Sequence, residues 1–330
     1  MEFQHRHASH CESGVMSSLL SHHGLPISEA MAFGLSSALS FAYLPIIKIN
    51  GLPLVAYRMP PRHIVKGLQK PLGVKMRFET FGSPQAGEAR LNELLAQDKL
   101  VGMQTSIFWL PYIPQDLRFH FNAHNILAFG RDGQSGDYLL SDPVAEHAVT
   151  CPPADLARAR FAKGLMAPKG LLYYPENKPA APAWEQILPK AIRKTTRVML
   201  DAPLPIIGAR GIRRLANAVD RLDAKNAPAA TKLFIGQVVR AQEEIGTGGA
   251  GFRFIYASFL QEAAALLGKP QLDELAEKLI DIGDEWREFA LATARMIRDR
   301  DPLEPAALSG KLRKLADREQ AFFLDLRRAL

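Results

Sequence analysis

His10-Cys11-Glu12-Ser13-Gly14-Val15-Met16-Ser17-Ser18-Leu19-Leu20 opens on a cysteine and turns at once into a helical pattern. Val15, Leu19 and His22 fall on one face, with Met16 and Leu20 beside them. Gly24-Leu25-Pro26 supplies the stop, a glycine followed by a proline. Ahead of the cysteine, Phe3 to His10 reads as a polar, flexible lead. Cys11 therefore belongs in the first turn of a helix. Unpaired backbone N–H groups and the helix dipole favour an anion there, which moves a thiol toward thiolate. A thiolate is the nucleophile of covalent acyl chemistry. The plainer reading of a lone cysteine is a small buried hydrophobe, so the case rests on partners later in the chain.

Ser28-Glu29 opens a second helix, with Ser28 as N-cap, running into an apolar stretch that ends near Leu44-Pro45. Gly34 inside it marks close packing or a change from helix to loop. Ile46 to Arg58 reads as strand, with a hairpin turn at Asn50-Gly51. After Pro60-Pro61 come a short helix (62–72), a strand (74–81) and an amphipathic helix (86–97) with Leu91, Leu94 and Leu95 on one face. Val101 to Tyr112 is a buried strand leading into a proline-rich loop. His124 then enters the strand ending at Gly130. After turns at Asp132-Gly133 and Ser135-Gly136, Tyr138 to Ser141 forms the next strand, closed by Asp142-Pro143. In antiparallel neighbours the start of one strand lies beside the end of the other, so His124 and Asp142 can touch. Taken singly, His124 is an ordinary strand-end histidine and Asp142 a turn former. Together with Cys11 they supply a nucleophile, a proton carrier and a group that fixes the imidazole tautomer.

Length and charge set limits. The 330 residues carry a formal charge of +7 and only two cysteines, Cys11 and Cys151. That number makes no disulfide framework, and a cytoplasmic protein with reduced thiols is expected. No apolar run reaches the roughly 20 residues of a membrane span. The basic balance favours acidic partners, yet no nucleic-acid motif accompanies it. His5, His7 and His10 precede Cys11, but no second Cys/His cluster completes a metal site, so no metal is expected. Gln4 or one of these histidines is placed instead to help hold an oxyanion.

The segments His10 to Gly14, Gly24 to Leu35, His124 to Gly130 and Ser141-Asp142-Pro143 resemble the N-terminal domain of the butirosin biosynthesis protein H family, over roughly residues 8–175. That family is similar in fold to papain and to C39-type bacteriocin-processing peptidases. The resemblance implies an α+β papain-like domain using Cys11, His124 and Asp142. It also implies transfer of an acyl group from a carrier-protein thioester to an amine through an acyl-cysteine. Gln4, His10, Glu29 and Tyr112 join the substrate-binding set. Two departures stand out. Gln4 lies seven residues before the cysteine, where C39-type peptidases place a glutamine six before. Thr105-Ser106-Ile107 occupies a strand where the family often shows an aspartate.

Pro175 to Trp184 reads as a linker, dividing a catalytic domain (1–178) from an all-helical domain (179–330) expected to close over the cleft. Helices are expected at about 185–200, 208–223, 228–245, 251–267, 270–298 and 303–329. Between Glu185 and Lys232, ten Lys/Arg face four acidic residues. Such a run is either solvated helix faces or a docking surface for an acidic carrier protein or a phosphopantetheine phosphate. Gly246-Thr247-Gly248-Gly249-Ala250-Gly251-Phe252-Arg253 lies between two helices and lacks the P-loop lysine. With Phe259 to Ala263 it resembles the helical domain of unknown function that often follows the butirosin-H-type domain. Gly248, Gly249, Arg253 and Tyr256 are expected to help line the site. The favoured function is an acyltransferase taking its acyl group from an acyl carrier protein or acyl-CoA and giving it to a small-molecule amine or hydroxyl. Phosphopantetheine is carried by the donor, and no bound cofactor is expected. The alternatives are a cysteine amidase or peptidase, and a catalytically silent module that binds carriers or peptides. The apolar helices leave room for a homodimer.

Overall fold

The structure is a computed structural model that describes residues 3–49 and 51–330. It is mixed α and β with a helical C-terminal region. Two compact units emerge: one of residues up to Ala32 plus Pro61–Pro182, the other of Phe33–Pro60 plus Ala183–Leu330. The division is therefore not a single cut along the chain, because residues 33–60 belong with the C-terminal helices.

In chain order the elements are α1 (Cys11–His22), α2 (Glu29–Leu35), β1 (Leu39–Ile49), β2 (Leu52–Arg58), α3 (His63–Gly67), α4 (Gln69–Leu72), β3 (Met76–Glu79), α5 (Pro84–Ala96), β4 (Val101–Thr105), β5 (His124–Arg131), β6 (Tyr138–Ser141), β7 (Val149–Cys151), α6 (Pro153–Arg160) and β8 (Leu172–Pro175). They continue as α7 (Trp184–Asp201), α8 (Gly208–Asp220), α9 (Pro228–Glu243), α10 (Arg253–Leu267), α11 (Pro270–Ile297) and α12 (Pro305–Arg328).

The first unit is built on a six-stranded antiparallel sheet in the order β3-β8-β4-β5-β6-β7. Leu91 and Leu94 of α5 and Leu156 and Ala159 of α6 pack with Val101, Met103, Ile126, Ala128 and Leu140 in one core. Helix α1 lies against β5, and every residue from Cys11 to Leu20 is buried. A helix enclosed all round cannot be amphipathic, and small residues let it be enclosed. A Cβ on Gly14 would stand 2.7 Å from the Cβ atoms of Ala8 and Pro143.

The lead before Cys11 is held rather than flexible. Ala8 N–H donates to Pro143 O (2.7 Å), and the His5 ring bonds Ser141 Oγ (2.8 Å) and Ala145 O (3.0 Å). A register shift between Ala128 and Gly130 bulges β5 at Phe129, which stacks on Phe3 with centroids 4.9 Å apart. The proline-rich segment after β8 is also tied down: Ala180 N–H donates to Leu72 O, and the Asn177 side chain bonds Lys75 N and Gly73 O.

The apolar stretch after Ser28 does not stay helical to Leu44. Helix α2 ends at Leu35, Ser37 takes a left-handed conformation (φ 58°), and β1 begins at Leu39. Gly34 is where the Phe259 ring sits, 2.0 Å from any added Cβ. The hairpin of β1 and β2 includes the expected span Ile46 to Arg58 but opens earlier, at Leu39, and Asn50 of its turn lies outside the described residues. Among the described residues, no helix is long and apolar enough to cross a membrane.

The interior of the second unit holds an ion pair. Arg253 Nε and Nη2 meet both oxygens of Glu319 at 2.8 and 3.0 Å, and Glu319 Oε1 also accepts from Trp286 Nε1 (2.7 Å). Both partners are fully buried, and the guanidinium lies over the rings of Tyr57 and Trp286. Removing one member of such a pair leaves a desolvated charge. Glu319→Ala should therefore destabilise the fold by about 3–5 kcal/mol, read as a lower urea midpoint, whereas a surface-pair variant such as Asp301→Ala should shift it little.

Candidate active site

His10 caps α1 from an extended conformation (φ −126°, ψ 129°), its Nδ1 accepting from Ser13 N–H at 3.3 Å and sharing a 2.8 Å bond with Ser13 Oγ. Glu29 holds the chain just upstream, its two carboxylate oxygens accepting from Ser9 N–H (3.0 Å) and His10 N–H (3.1 Å). Cys11 is thereby fixed as the first residue of the helix, where the positive end of the helix dipole favours an anion on Sγ. The next residue, Glu12, is buried with a carboxylate of the same sign as a thiolate. Its Oε1 instead accepts from Ile64 N–H (2.9 Å) and Val65 N–H (3.3 Å), capping α3.

The sheet supplies the partners. The β5–β6 register pairs Leu127 with Ser141, so Asp142, one step past β6, stands beside the start of β5. His124 Nε2 and Asp142 Oδ2 are 2.7 Å apart, with His124 2% and Asp142 0% exposed. Asp142 Oδ2 also accepts from Tyr112 O–H (2.9 Å), and Oδ1 accepts from Val144 N–H (3.2 Å). Burial alone would lower the histidine's affinity for a proton. The Asp142 charge and hydrogen bond outweigh it, and Cys11 adds to them, so the His124 pKa is raised to about 10. With Nε2 committed to Asp142, Nδ1 is the ring nitrogen left to meet the thiol. Burial and the nearby Asp142 charge push the Tyr112 phenol well above its ordinary range, so Tyr112 remains a neutral donor.

The sequence-predicted residues thus separate. Cys11, His124 and Asp142 come together, with Tyr112 donating to the aspartate. His10 and Glu29 order the nucleophile's helix, and Gln4 is exposed. In the second unit Gly248 is exposed and Gly249 donates to Thr247 Oγ1, while Ala250 N–H donates to Glu243 Oε1. The Gly249 and Ala250 amides thus have acceptors in Thr247 and in Glu243 at the end of α9. Arg253 and Tyr256 are fully buried, and the arginine charge is met by Glu319 rather than by substrate. Of the basic run, Arg210, Arg213 and Arg214 line a surface cavity of about 320 Å³ on α8. The acids of that run are partly engaged elsewhere, Asp201 with Arg327 and Asp220 with Arg313. Among the described residues no group of three or more His, Cys, Asp or Glu side chains could hold a metal ion.

Two residues at the thiol were not anticipated. Asn125, next to His124, brings Nδ2 to 4.0 Å from Cys11 Sγ, and Tyr173 of β8 donates to Asn125 Oδ1 at 2.9 Å. The signal for Tyr173 lay in Gly102, a glycine inside β4 whose added Cβ would sit 2.1 Å from the tyrosine ring.

Residues 10–143 match the family model described as "Butirosin biosynthesis protein H, N-terminal". Residues 154–326 match that described as "Domain of unknown function (DUF4872)". No curated protein matches the chain.

A histidine that binds its proton more tightly in the folded than in the unfolded chain adds stability. That contribution is complete below about pH 6.5 and is lost as pH rises toward about 10. Asp142→Asn should flatten this alkaline decline, measured as urea unfolding free energy at a series of pH values. A wild-type decline equal to the variant's would remove the His124–Asp142 pair as its source.

Proposed function

From a chain that belongs to the butirosin biosynthesis protein H-like family, its N-terminal domain followed by a domain of unknown function, we propose an acyltransferase with a papain-like Cys-His-Asp triad. The observation that carries this reading is the 2.7 Å contact of buried His124 with Asp142 beside a cysteine at a helix start. The chain order of nucleophile on a helix, histidine opening a strand and aspartate ending the neighbouring strand supports the papain-like arrangement.

Cys11, as thiolate, attacks the carbonyl carbon of a thioester carried on phosphopantetheine. The tetrahedral oxyanion is met by the Cys11 N–H, an amide of the helix's first turn. Collapse breaks the original C–S bond, and the imidazolium of His124 gives its proton to the departing thiolate. The acyl-cysteine is then attacked by an acceptor amine or hydroxyl. Neutral His124 takes the acceptor's proton as Cys11 leaves, which restores the ion pair. Asp142 keeps Nε2 protonated throughout, so Nδ1 is always the nitrogen that exchanges the proton. An acyl carrier protein or acyl-CoA is the donor and a small molecule the acceptor.

Intact-mass analysis after incubation with a panel of acyl-thioesters tests this. Wild type should gain the acyl mass, Cys11→Ala should gain none, and His124→Ala should acylate more slowly by about 10²–10⁴-fold. Loss of the adduct on adding amine, with the amide recovered, supports transfer. Loss to free acid whatever amine is added would instead assign a hydrolase. No adduct from any donor, with an unreactive Cys11, would leave a binding module.

A further inference from the structure

Resting on the reading of Cys11 as nucleophile, we infer that Asn125 is a further catalytic residue, an amide donor to the Cys11 thiolate, and that Tyr173 is the positioning residue that fixes its orientation. Successive strand residues diverge, yet His124 and its neighbour Asn125 both reach the thiol. The Asn125 amide has one acceptor and two donor hydrogens to satisfy. The Ala123 carbonyl, which can only accept, lies 3.1 Å from Nδ2 and so identifies that atom as the NH₂ group. Its second hydrogen is the one directed to Sγ, 4.0 Å away. Oδ1, on the other side, accepts from Tyr173 O–H at 2.9 Å. The amide has only one orientation that satisfies all three partners.

Tyr173 can serve only while it keeps its proton. It is 1% exposed, and burial, then the charges of Glu12 and Cys11, hold its phenol well above the ordinary range. A negative sulfur thus helps keep protonated the group that orients its own donor. The ring reaches this place because residue 102 is glycine. Among the described residues, His124 on β5 and Tyr173 on β8 interact with the thiol, and Glu12 is its neighbour on α1. Of these, His124 offers a positive charge, and Glu12 is directed to the α3 amides.

The test is the pH dependence of Cys11 alkylation by iodoacetamide in wild type, Asn125→Ala and Tyr173→Phe. In wild type the reactive thiolate should persist well below the ordinary thiol midpoint of about 8.5. Asn125→Ala should move that midpoint up by about one pH unit, a tenfold loss of thiolate on the acid side. Tyr173→Phe, which keeps the ring and so the packing, should move it the same way by about threefold. A loss of packing alone would change the rate without moving the midpoint. A low wild-type midpoint that both variants retain overturns the role of Asn125 while leaving the nucleophile intact. A wild-type midpoint near 8.5 overturns both. If Asn125→Ala does not fold, Tyr173→Phe decides.

Discussion

The contact between His124 Nε2 and Asp142 Oδ2 lies in the interior, with His124 2% and Asp142 0% exposed. Burial alone would lower the imidazole's hold on its proton, and the Asp142 charge and hydrogen bond outweigh it. The surroundings answer this group by group. The aspartate accepts from Tyr112 and Val144 as well as from the imidazole. The imidazolium faces Cys11 on its other side, and Cys11 sits where helix amides favour an anion. The neighbouring acid that would oppose a thiolate, Glu12, caps α3.

Much of the first unit serves to hold these groups in register. Asp142 follows directly on Ser141, which His5 binds, and precedes Pro143, which Ala8 binds. The lead thereby links the aspartate's loop to the start of α1, and Gly14 lets the helix close onto both Ala8 and Pro143. Glu29 fixes the same lead from α2. Cysteine and aspartate, far apart in the chain, are joined through eight or so lead residues that a composition-based reading takes for a flexible tail.

How much of this could be read from residues alone depends on the range of each interaction. The long helices of the second unit were legible because periodicity and Gly/Pro punctuation are local, and α7 to α12 fall close to the expected spans. Cys11, His124 and Asp142 were legible because each sits at an element end that the sequence marks. The short pieces β7, α6 and β8 were missed, since three to eight residues carry too little periodicity. The helix-to-loop change read at Gly34 matches the end of α2 at Leu35, while the strand that follows was not legible because β1 opens with Leu39-Ser40-Phe41, residues that suit a buried strand as well as a helix. The buried pairing of Arg253 was not legible for a different reason. A buried ion pair depends on Glu319, 66 positions away, and a glycine-rich loop before a helix looks alike whether its amides wait for a ligand or already hold Thr247 and Glu243. Asn125 and Tyr173 meet only through the sheet order that sets β8 beside β4 and β4 beside β5.

The central claim is that His124 rests as an imidazolium because Asp142 and an anionic Cys11 flank it. Nitrogen-15 NMR of histidine-labelled protein at neutral pH reads this directly. The account predicts two protonated ring nitrogens for His124 in wild type, persisting toward pH of about 10, and a lower titration midpoint in both Cys11→Ala and Asp142→Asn. A neutral ring at pH 7 in wild type, or a midpoint indifferent to both substitutions, would contradict it.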